Sequence, residues 1–346
     1  MNIKNEIIKP IAAINEELAT LAGKARISLK RTENVINKKK YFIQKKKPKL
    51  CIVYLVSPSK SVHSTGFMGF QKNLRKIELL KQSLFTVKKY LPDYPIMFFH
   101  EDYTANDMKN IKQIVNKQKL NFIKVNFDSY KGKRNLDEWM KKQKGFVEGR
   151  PAGYRMMCRF FSGVLQNTKE LSKFDYYIRM DHDSFFVEPK KLDVEECIKK
   201  YDFDYLYRSV WTDHKEKESI WKFTKNYAKK NGLSLEGFKK LKMLNVFGNF
   251  NGRSPYNNFH ISKVSFWKNP EVKKFLDTIE KEDGIILKHW QDTTVHSMIL
   301  GLFNATVLEK TDFGYMHNFH YSILGSKKIH YLEDGGPLGK IIHPKK

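Results

Sequence analysis

The chain has 346 residues, of which 41% are hydrophobic and 14% aromatic, so it can form one large domain or two small ones with a sizeable core. Its three cysteines lie far apart without a Cys-x-x-Cys pair. This spacing excludes a disulfide scaffold and argues against a thiolate metal site, so buried, reduced thiols are expected. The longest nearly apolar stretch, residues 293–308, contains His296 and Asn304 and is too short and too polar to span a bilayer. The composition therefore predicts a soluble globular protein.

The charge of the chain is strongly basic. Lys and Arg number 64 against 37 Asp and Glu, which gives a net charge of +27. Residues 24–49 contain eleven of the basic residues and a single acid, Glu33. A basic surface attracts nucleic acid, phospholipid and phosphorylated small molecules. A composition rich in lysine, asparagine and isoleucine also arises from AT-rich coding sequence, so the charge alone assigns no binding role.

Residues 1–47 are predicted to be a basic arm or linker before a single domain over residues 48–346. Residues 11–21 have the spacing of a short amphipathic helix, and the lysine-rich part that follows is typical of a solvated linker. Weak attachment of this arm to an anionic membrane is the alternative, whereas nucleic acid is not favoured because no RNA-binding motif is present. The N-terminus contains acids and no continuous apolar region, so the sequence predicts no signal peptide and a cytoplasmic or peripheral membrane location.

Strands and helices alternate from residue 50 onward. The run LCIVYLV at 50–56 is short, apolar and rich in β-branched residues, which predicts a buried strand. Apolar residues at helical spacing predict a helix over 73–91 that stops at Pro92. The next predicted elements are a strand at 95–102, a helix at 106–117 and a strand at 121–127. This order predicts a doubly wound α/β sheet with a mostly parallel core.

The second half of the chain continues this alternation. A polar turn at 149–153 precedes a predicted helix at 154–165 and a predicted strand at 174–180. Asn269 is a suitable N-cap for a helix that begins at Pro270. The remaining predicted elements are a strand at 202–210, a lysine-rich helical region at 213–244 and a helix at 292–303.

Two aspartates separated by one residue, Asp181 and Asp183, follow the predicted strand at 174–180. In open α/β sheets, ligands bind at the carboxyl ends of the strands. Two carboxylates there suit a divalent metal, Mn²⁺ or Mg²⁺, that keeps open positions for a diphosphate. Short Asp-x-Asp sequences are common by chance, so this motif alone favours an acidic turn at a strand end.

Further patches accompany this motif in a fixed order. They are GYRMMCRFF at 153–161, YNNFHI at 256–261, HWQDTTVH at 289–296 and DFGYMH at 312–317. Together with the strand that runs into His100 and the Asp-x-Asp strand, they resemble the fungal-type GDP-mannose-dependent α-1,2-mannosyltransferases. The pattern of that family includes Tyr-Arg-x-Met-Cys-Arg-Phe, acid-x-Asp, Asn-Phe-Glu-Ile, Trp-Gly-Asp-Ala-Pro and Asp-x-Gly-Tyr-x-His. All six patches lie between about Leu50 and His317 in the order of that pattern.

The resemblance implies a single catalytic domain with a GT-A-like α/β fold, in which helices flank a mixed, mostly parallel sheet. It also implies a retaining glycosyltransferase that needs Mn²⁺ or Mg²⁺, uses GDP-mannose and transfers mannose to a glycan or glycoconjugate acceptor. Carried over by position, the metal ligands are Asp181, Asp183 and His317, the donor-binding residues are Arg155, Arg159, Asp181 and Trp290, and the catalytic residues are Tyr154, His260 and Asp292. Core packing is the alternative role for Trp290, and structural support is the alternative for the arginines.

Two of the patches depart from the family pattern. His260 stands where the family has the glutamate of Asn-Phe-Glu-Ile, and an imidazole cannot replace a carboxylate as a glycosyl nucleophile. Attack on the face of the leaving diphosphate would tolerate this change, with His260 as a hydrogen-bond donor or a base. Gln291, Thr293 and Thr294 stand where the family has the Gly, Ala and Pro of Gly-Asp-Ala-Pro, which indicates an altered acceptor or donor pocket. Two alternatives stay open: the same fold with a UDP-sugar donor, and a basic binding protein that has lost catalysis.

Overall fold

The structure is a computed structural model. The residues it describes are 33–36, 47–56, 76–115, 119–127, 152–187, 191–212, 217–317, 320–321, 331–332 and 341–342. The strands are β1 Glu33–Ile36, β2 Leu50–Leu55, β3 Ile96–His100, β4 Leu120–Lys124, β5 Tyr176–Met180, β6 Ser184–Phe186, β7 Tyr205–Tyr207, β8 Val210–Thr212, β9 Arg253–Pro255, β10 Phe259–Lys263, β11 Val307–Lys310, β12 Tyr315–His317, β13 His320–Tyr321, β14 Tyr331–Leu332 and β15 Ile341–Ile342. The helices are α1 Lys76–Tyr90, α2 Ala105–Ile114, α3 Ala152–Arg159, α4 Val194–Tyr201, α5 Lys217–Lys230, α6 Glu236–Lys240, α7 Val264–Trp267, α8 Pro270–Glu282, α9 Gly284–Leu287 and α10 Asp292–Leu302.

Eight strands form the central sheet, in the order β1-β11-β7-β10-β5-β2-β3-β4. Strands β4, β3, β2 and β5 pair in parallel, and β7 pairs in parallel with β11. Strand β10 is antiparallel to both β5 and β7, and β1 is antiparallel to β11. Six of the eight strands therefore run in one direction, which confirms the predicted mixed, mostly parallel sheet.

Both faces of the sheet are covered. Along β2, Cys51 and Val53 pack into one hydrophobic cluster, whereas Ile52 and Tyr54 pack into the other. Successive side chains of a strand point to opposite faces, so a strand that is apolar at every position must lie between two layers. This arrangement confirms the doubly wound fold and explains why the run at 50–56 shows no polar alternation.

The predicted helices of the second half are present, with local signals at their ends. The Asn269 side chain accepts a hydrogen bond from the Glu271 backbone N–H at 2.9 Å, and α8 begins at Pro270 as predicted. Every residue of α10 is buried, so the apolar stretch at 293–308 belongs to the core. Among the described residues, no helix has the length and apolar character needed to cross a membrane.

The structure adds detail to several predictions. Strand β1, within the predicted arm, pairs with β11, with Glu33 opposite Lys310. Residues 1–32 and 37–46, including the helix predicted at 11–21, lie outside the described residues, so the arm and the domain boundary stay predictions. The turn at 149–153 is described only from residue 152, where α3 begins. All three cysteines are buried and none forms a disulfide, as predicted.

Candidate active site

The Asp-x-Asp turn lies at the carboxyl end of β5, in the middle of the sheet between β2 and β10. The Asp181 backbone N–H donates to the Asn258 carbonyl at 3.1 Å, and the Ser184 N–H donates to the Asp181 carbonyl at 3.0 Å. The chain then enters β6, which pairs with β12 so that Ser184 lies opposite His317. This small second sheet brings His317 to the two aspartates from more than 130 residues away in the sequence.

Asp181, Asp183 and His317 together form a three-residue cluster that can hold a metal ion. One ligand atom from each residue lies within 4.8 Å of the others. The Nε2 atom of His317 is 3.4 Å from Asp183 Oδ1 and 4.0 Å from Asp181 Oδ2. The structure thus brings together all three residues predicted as metal ligands.

A hydrogen bond on its far side orients the imidazole of His317. The Nδ1 atom of His317 is 3.1 Å from the Tyr256 hydroxyl, which leaves Nε2 directed at the carboxylates. Burial alone would lower the pKa of His317, but the carboxylates of Asp183 and Asp181 raise it above its usual value. Burial raises the pKa of Asp181, although Arg179 and His317 oppose this shift. Two carboxylates next to the His317 Nε2 atom place negative charge at this point, which a bound cation would balance.

Arg179, which the sequence analysis did not select, connects the metal cluster to Asp292. Its side chain is 2% exposed, and its Nη1 donates to Asp292 Oδ2 at 2.6 Å while its Nε donates to Asp181 Oδ1 at 3.2 Å. The guanidinium also lies 3.4 Å from the centre of the Phe161 ring. Burial alone would raise the pKa of Asp292, but Arg179 and a 2.9 Å hydrogen bond from Asn257 lower it, so Asp292 is ionised.

His260 is fully buried beneath this ion pair and not at its surface. Its Nδ1 is 3.2 Å from the Asn257 carbonyl and its Nε2 is 3.1 Å from the Tyr177 hydroxyl, so a neutral ring donates to Asn257 and accepts from Tyr177. The ring stacks on Tyr205 at 4.7 Å, and burial lowers its pKa well below the usual value. His260 therefore supports Asn257, which in turn donates to Asp292. A catalytic role for His260 stays a prediction.

Helix α3 contacts Arg179, because the Met157 sulfur lies 3.9 Å from the Arg179 Nη2 atom. Arg155 is 1% exposed and donates to the Ile286 carbonyl. Arg159 donates through Nε to Glu280 Oε1 at 2.6 Å, on α8. The Tyr154 ring is 6.4 Å from that of His289. The donor-binding and catalytic roles assigned to these three side chains stay predictions, since their described contacts are with protein.

Trp290 is packed into the core at 1% exposure. Its Nε1 donates to the Ser219 hydroxyl at 2.8 Å and its ring lies 4.9 Å from that of Phe223. These contacts match the alternative of core packing, and stacking on a sugar stays a prediction. Within the segment at 289–296, it is Asp292, two residues after Trp290, that contacts Arg179 in the site.

Lys76, at the start of α1, is close enough to Asp183 for the two charges to interact. Burial lowers its pKa, and the nearby Asp183 carboxylate opposes that shift. No sequence signal distinguishes this lysine from the many others. Arg179 could have been found, because an arginine in the middle of a buried strand needs an acidic partner.

The family model described as glycolipid 2-alpha-mannosyltransferase matches residues 5–330. The chain belongs to this family. Glycolipid 2-alpha-mannosyltransferase 1 of Candida albicans is 26% identical over 198 residues, which are 56% of this chain and 41% of that protein. Glycolipid 2-alpha-mannosyltransferase of Saccharomyces cerevisiae is 23% identical over 292 residues, 78% of this chain and 61% of that protein. The chain thus spans about half the length of these relatives.

A solved structure confirms the GT-A-like fold. Core-mannan synthase A of Aspergillus fumigatus, crystallised in a Mn/GDP form, matches with a TM-score of 0.65 at 18% identity. The match covers 87% of this chain and 86% of that chain. The two proteins therefore share the mostly parallel sheet with helices on both faces.

Proposed function

We propose that this protein is a metal-dependent, retaining glycosyltransferase that transfers mannose from GDP-mannose to a hydroxyl of a glycan or glycoconjugate acceptor, in an α-1,2 linkage. The observation that carries the proposal is the Asp181–Asp183–His317 cluster at the carboxyl end of β5 in a chain of this family. Two relatives are named as glycolipid 2-alpha-mannosyltransferases, and the A. fumigatus structure is a Mn/GDP form.

The ligand set fits Mn²⁺. Two carboxylates and one imidazole combine hard oxygen donors with a nitrogen donor, a set that manganese accepts readily. The charges also balance, because a divalent ion and the Arg179 guanidinium match the three carboxylates of Asp181, Asp183 and Asp292. The hydrogen bond between Tyr256 and His317 supplies the outer support typical of a histidine ligand. When bound, the metal supplies a Lewis acid for the diphosphate of the donor.

The order of the strands in the main sheet indicates where the nucleotide of the donor would bind. The connection from β2 leads to β3 and β4 on one side, whereas β5 lies on the other side of β2. In open α/β sheets, ligands bind in the crevice outside the carboxyl ends of the strands at such a switch point. A diphosphate held beside Asp181 would therefore place its nucleoside in the crevice between β2 and β5.

The route of the reaction follows from which carboxylates are available. His260 is neutral and buried, so it forms no glycosyl-enzyme bond. Asp292 is ionised, but its Oδ2 is already held by Arg179 and Asn257. We favour attack of the acceptor hydroxyl on the same face as the leaving diphosphate, whose oxygens accept the proton. In this route Arg179 and Asp292 keep the pocket preorganised, and His260 acts as a positioning residue through Asn257.

The basic segment at 24–49 adds a second element to the proposal. Its concentrated positive charge suits weak attachment to an anionic membrane, where each nearby Lys or Arg contributes about 1 kcal/mol. The location on such a surface stays a prediction of the sequence.

Substitution of one metal ligand tests the proposed function. Asp183→Asn removes a charged ligand and should weaken Mn²⁺-dependent binding of GDP by at least roughly tenfold, measured by titration calorimetry with the full chain. Asp277→Asn, on the exposed face of α8, is the matched control and should bind as the wild type does. GDP-mannose consumption should fall in parallel with binding.

Three results would count against the proposal. Unchanged GDP–Mn²⁺ affinity in Asp183→Asn would remove the metal assignment. Binding of UDP in place of GDP would keep the fold and replace the donor. Absence of any nucleotide binding in the wild type would favour a basic binding protein without catalysis.

A further inference from the structure

Trp211 is a large apolar side chain on the surface close to the metal cluster. It lies in β8, opposite Ser254 of β9, and 49% of it is exposed. An exposed indole next to a polar site offers a flat apolar face that a ligand with an apolar face can cover. The other described apolar side chains that are this exposed or more, Val246 and Phe247, lie on a separate loop between α6 and β9.

Two ring contacts connect Trp211 with a predicted metal ligand. Its indole stacks on the Tyr256 ring, with the ring centres 5.9 Å apart and the planes at 26°. The Tyr256 ring meets His317 edge-on at 5.5 Å, and its hydroxyl is 3.1 Å from His317 Nδ1. Tyr256 therefore covers one face of the indole and holds it at a fixed position beside the cluster.

The pair of strands β8 and β9, which carries Trp211, is attached to the rest of the site. The Tyr256 backbone N–H donates to the Ser209 carbonyl at 2.8 Å, which closes the two strands just beyond their paired residues. Thr293, the residue after Asp292, donates a hydrogen bond from its hydroxyl to the Pro255 carbonyl at the end of β9. Trp211 is thus presented by a braced strand pair, so little conformational entropy is lost when a ligand binds.

The topology separates Trp211 from the nucleotide. The proposed nucleotide crevice lies between β2 and β5. Strand β8 follows β7 in the chain and β9 precedes β10, and both β7 and β10 lie on the other side of β5. A ligand that reaches both the indole and the metal-bound donor therefore approaches from the acceptor side. The carbon–hydrogen face of a pyranose ring is apolar and uncharged, and it suits an aromatic face.

We infer that the exposed indole face of Trp211 binds a sugar ring of the acceptor, next to the donor held at the metal cluster. This inference rests on the proposed function and adds the acceptor subsite to it. The substrate class is accordingly a glycan whose acceptor end exposes the apolar face of a pyranose ring.

Steady-state kinetics with methyl α-mannoside, methyl α-glucoside and methyl α-galactoside as acceptors test this inference. Trp211→Ala should raise the KM for the accepted glycoside roughly tenfold, which is the loss expected when about 50 Å² of apolar contact is removed. Trp211→Phe, which keeps a smaller aromatic face, should give an intermediate KM. Phe247→Ala removes an exposed aromatic ring from the separate loop and should leave the KM unchanged.

GDP–Mn²⁺ affinity and the hydrolysis of GDP-mannose in the absence of acceptor report on the donor site alone. Both should be unchanged in Trp211→Phe, which keeps an aromatic ring against Tyr256. Weaker GDP binding in Trp211→Phe would overturn the inference, because the side chain would then serve the donor. An unchanged KM, or hydrolysis without transfer to any of the glycosides, would also overturn it while leaving the proposed function intact. A wild-type protein that neither binds GDP nor hydrolyses GDP-mannose would overturn both.

Discussion

Arg179 is the residue whose charge decides how the candidate site is held together. Its side chain is 2% exposed and that of Asp292 is 5% exposed, so their charges are withdrawn from water and depend on each other. Removal of one partner from a buried ion pair leaves the other charge uncompensated, at a cost of about 3–5 kcal/mol. The pair therefore couples the acidic end of β5 to the first residue of α10.

At the residue scale we predict that Asp292→Asn lowers the free energy of unfolding by about 3 kcal/mol, because Arg179 keeps its charge without its main partner. Urea denaturation at pH 7 measures this loss. The double variant Arg179→Met with Asp292→Asn should recover only part of it, since the buried guanidinium and carboxylate are both removed but Asp181 loses its contact with Arg179. A single variant as stable as the wild type would show that the pair is solvated or dispensable.

The sequence predicts only part of this site. Asp181 and Asp183 follow from a buried strand that ends in acids, and His317 comes from the resemblance to the family. The partnership of Arg179 with Asp292 spans 113 residues. Neither strand alternation nor helical spacing reports contacts over that separation.

Among the helices, short α9 shows how closely the core around Trp290 is packed. A Cβ atom added at Gly284 would lie 2.2 Å from Cε3 of the Trp290 indole, closer than real atoms approach. The indole cannot move away easily, because Phe223 and the hydrogen bond to Ser219 hold it. The start of α9 therefore requires a residue without a side chain.

Gly284→Ala should accordingly lower the free energy of unfolding by about 1–3 kcal/mol, the usual cost of overpacking. Gly153→Ala, near the start of α3, is the matched control, because a Cβ there meets nothing within 4 Å. That substitution should be neutral or stabilise by up to about 1 kcal/mol, since alanine favours the helix. Thermal or urea unfolding of the two variants measures both effects, and equal stabilities would contradict the packing described.

Strands and helices with a strong local pattern are predictable from the sequence. Which strands pair with each other in the sheets is harder to predict. The strands at 50–56 and 95–102 and the cap at Asn269 follow from apolar runs and capping chemistry. The predicted strand at 202–210 is longer than β7, which is Tyr205–Tyr207, and it reaches only the first residue of β8, Val210. Val210 pairs with Pro255 of β9 outside the main sheet, and this long-range partner cannot be read from the local composition.

At the scale of the whole molecule, a layer of buried aromatic and histidine side chains lies under the site. His296 Nε2 is 2.9 Å from the Phe161 carbonyl and its Nδ1 is 3.1 Å from the Tyr205 hydroxyl, so the neutral ring donates to the first and accepts from the second. Its ring centre is 5.4 Å from that of His260. A proton on either ring would place a charge in this layer. We therefore expect folding to depend on pH.

Burial lowers the pKa of His296 to about 4, against 6.5 for an unperturbed histidine, although the Asp292 carboxylate opposes the shift. Between these two pH values the unfolded chain binds more protons than the folded protein, so the free energy of unfolding rises with pH. The stabilisation is complete above pH 6.5 and is lost as the pH falls toward 4. At pH 5 the loss from this one residue is about 2 kcal/mol.

Urea denaturation of the wild type and of His296→Gln at pH 7 and pH 5 tests this account. The variant should be less stable at pH 7, because its packing is imperfect, but its free energy of unfolding should fall by about 2 kcal/mol less between the two pH values. His260 and the metal ligands titrate in both proteins, so the difference between the two slopes isolates His296. Parallel pH dependence would mean that His296 is already protonated in the folded protein, or that the buried layer admits water.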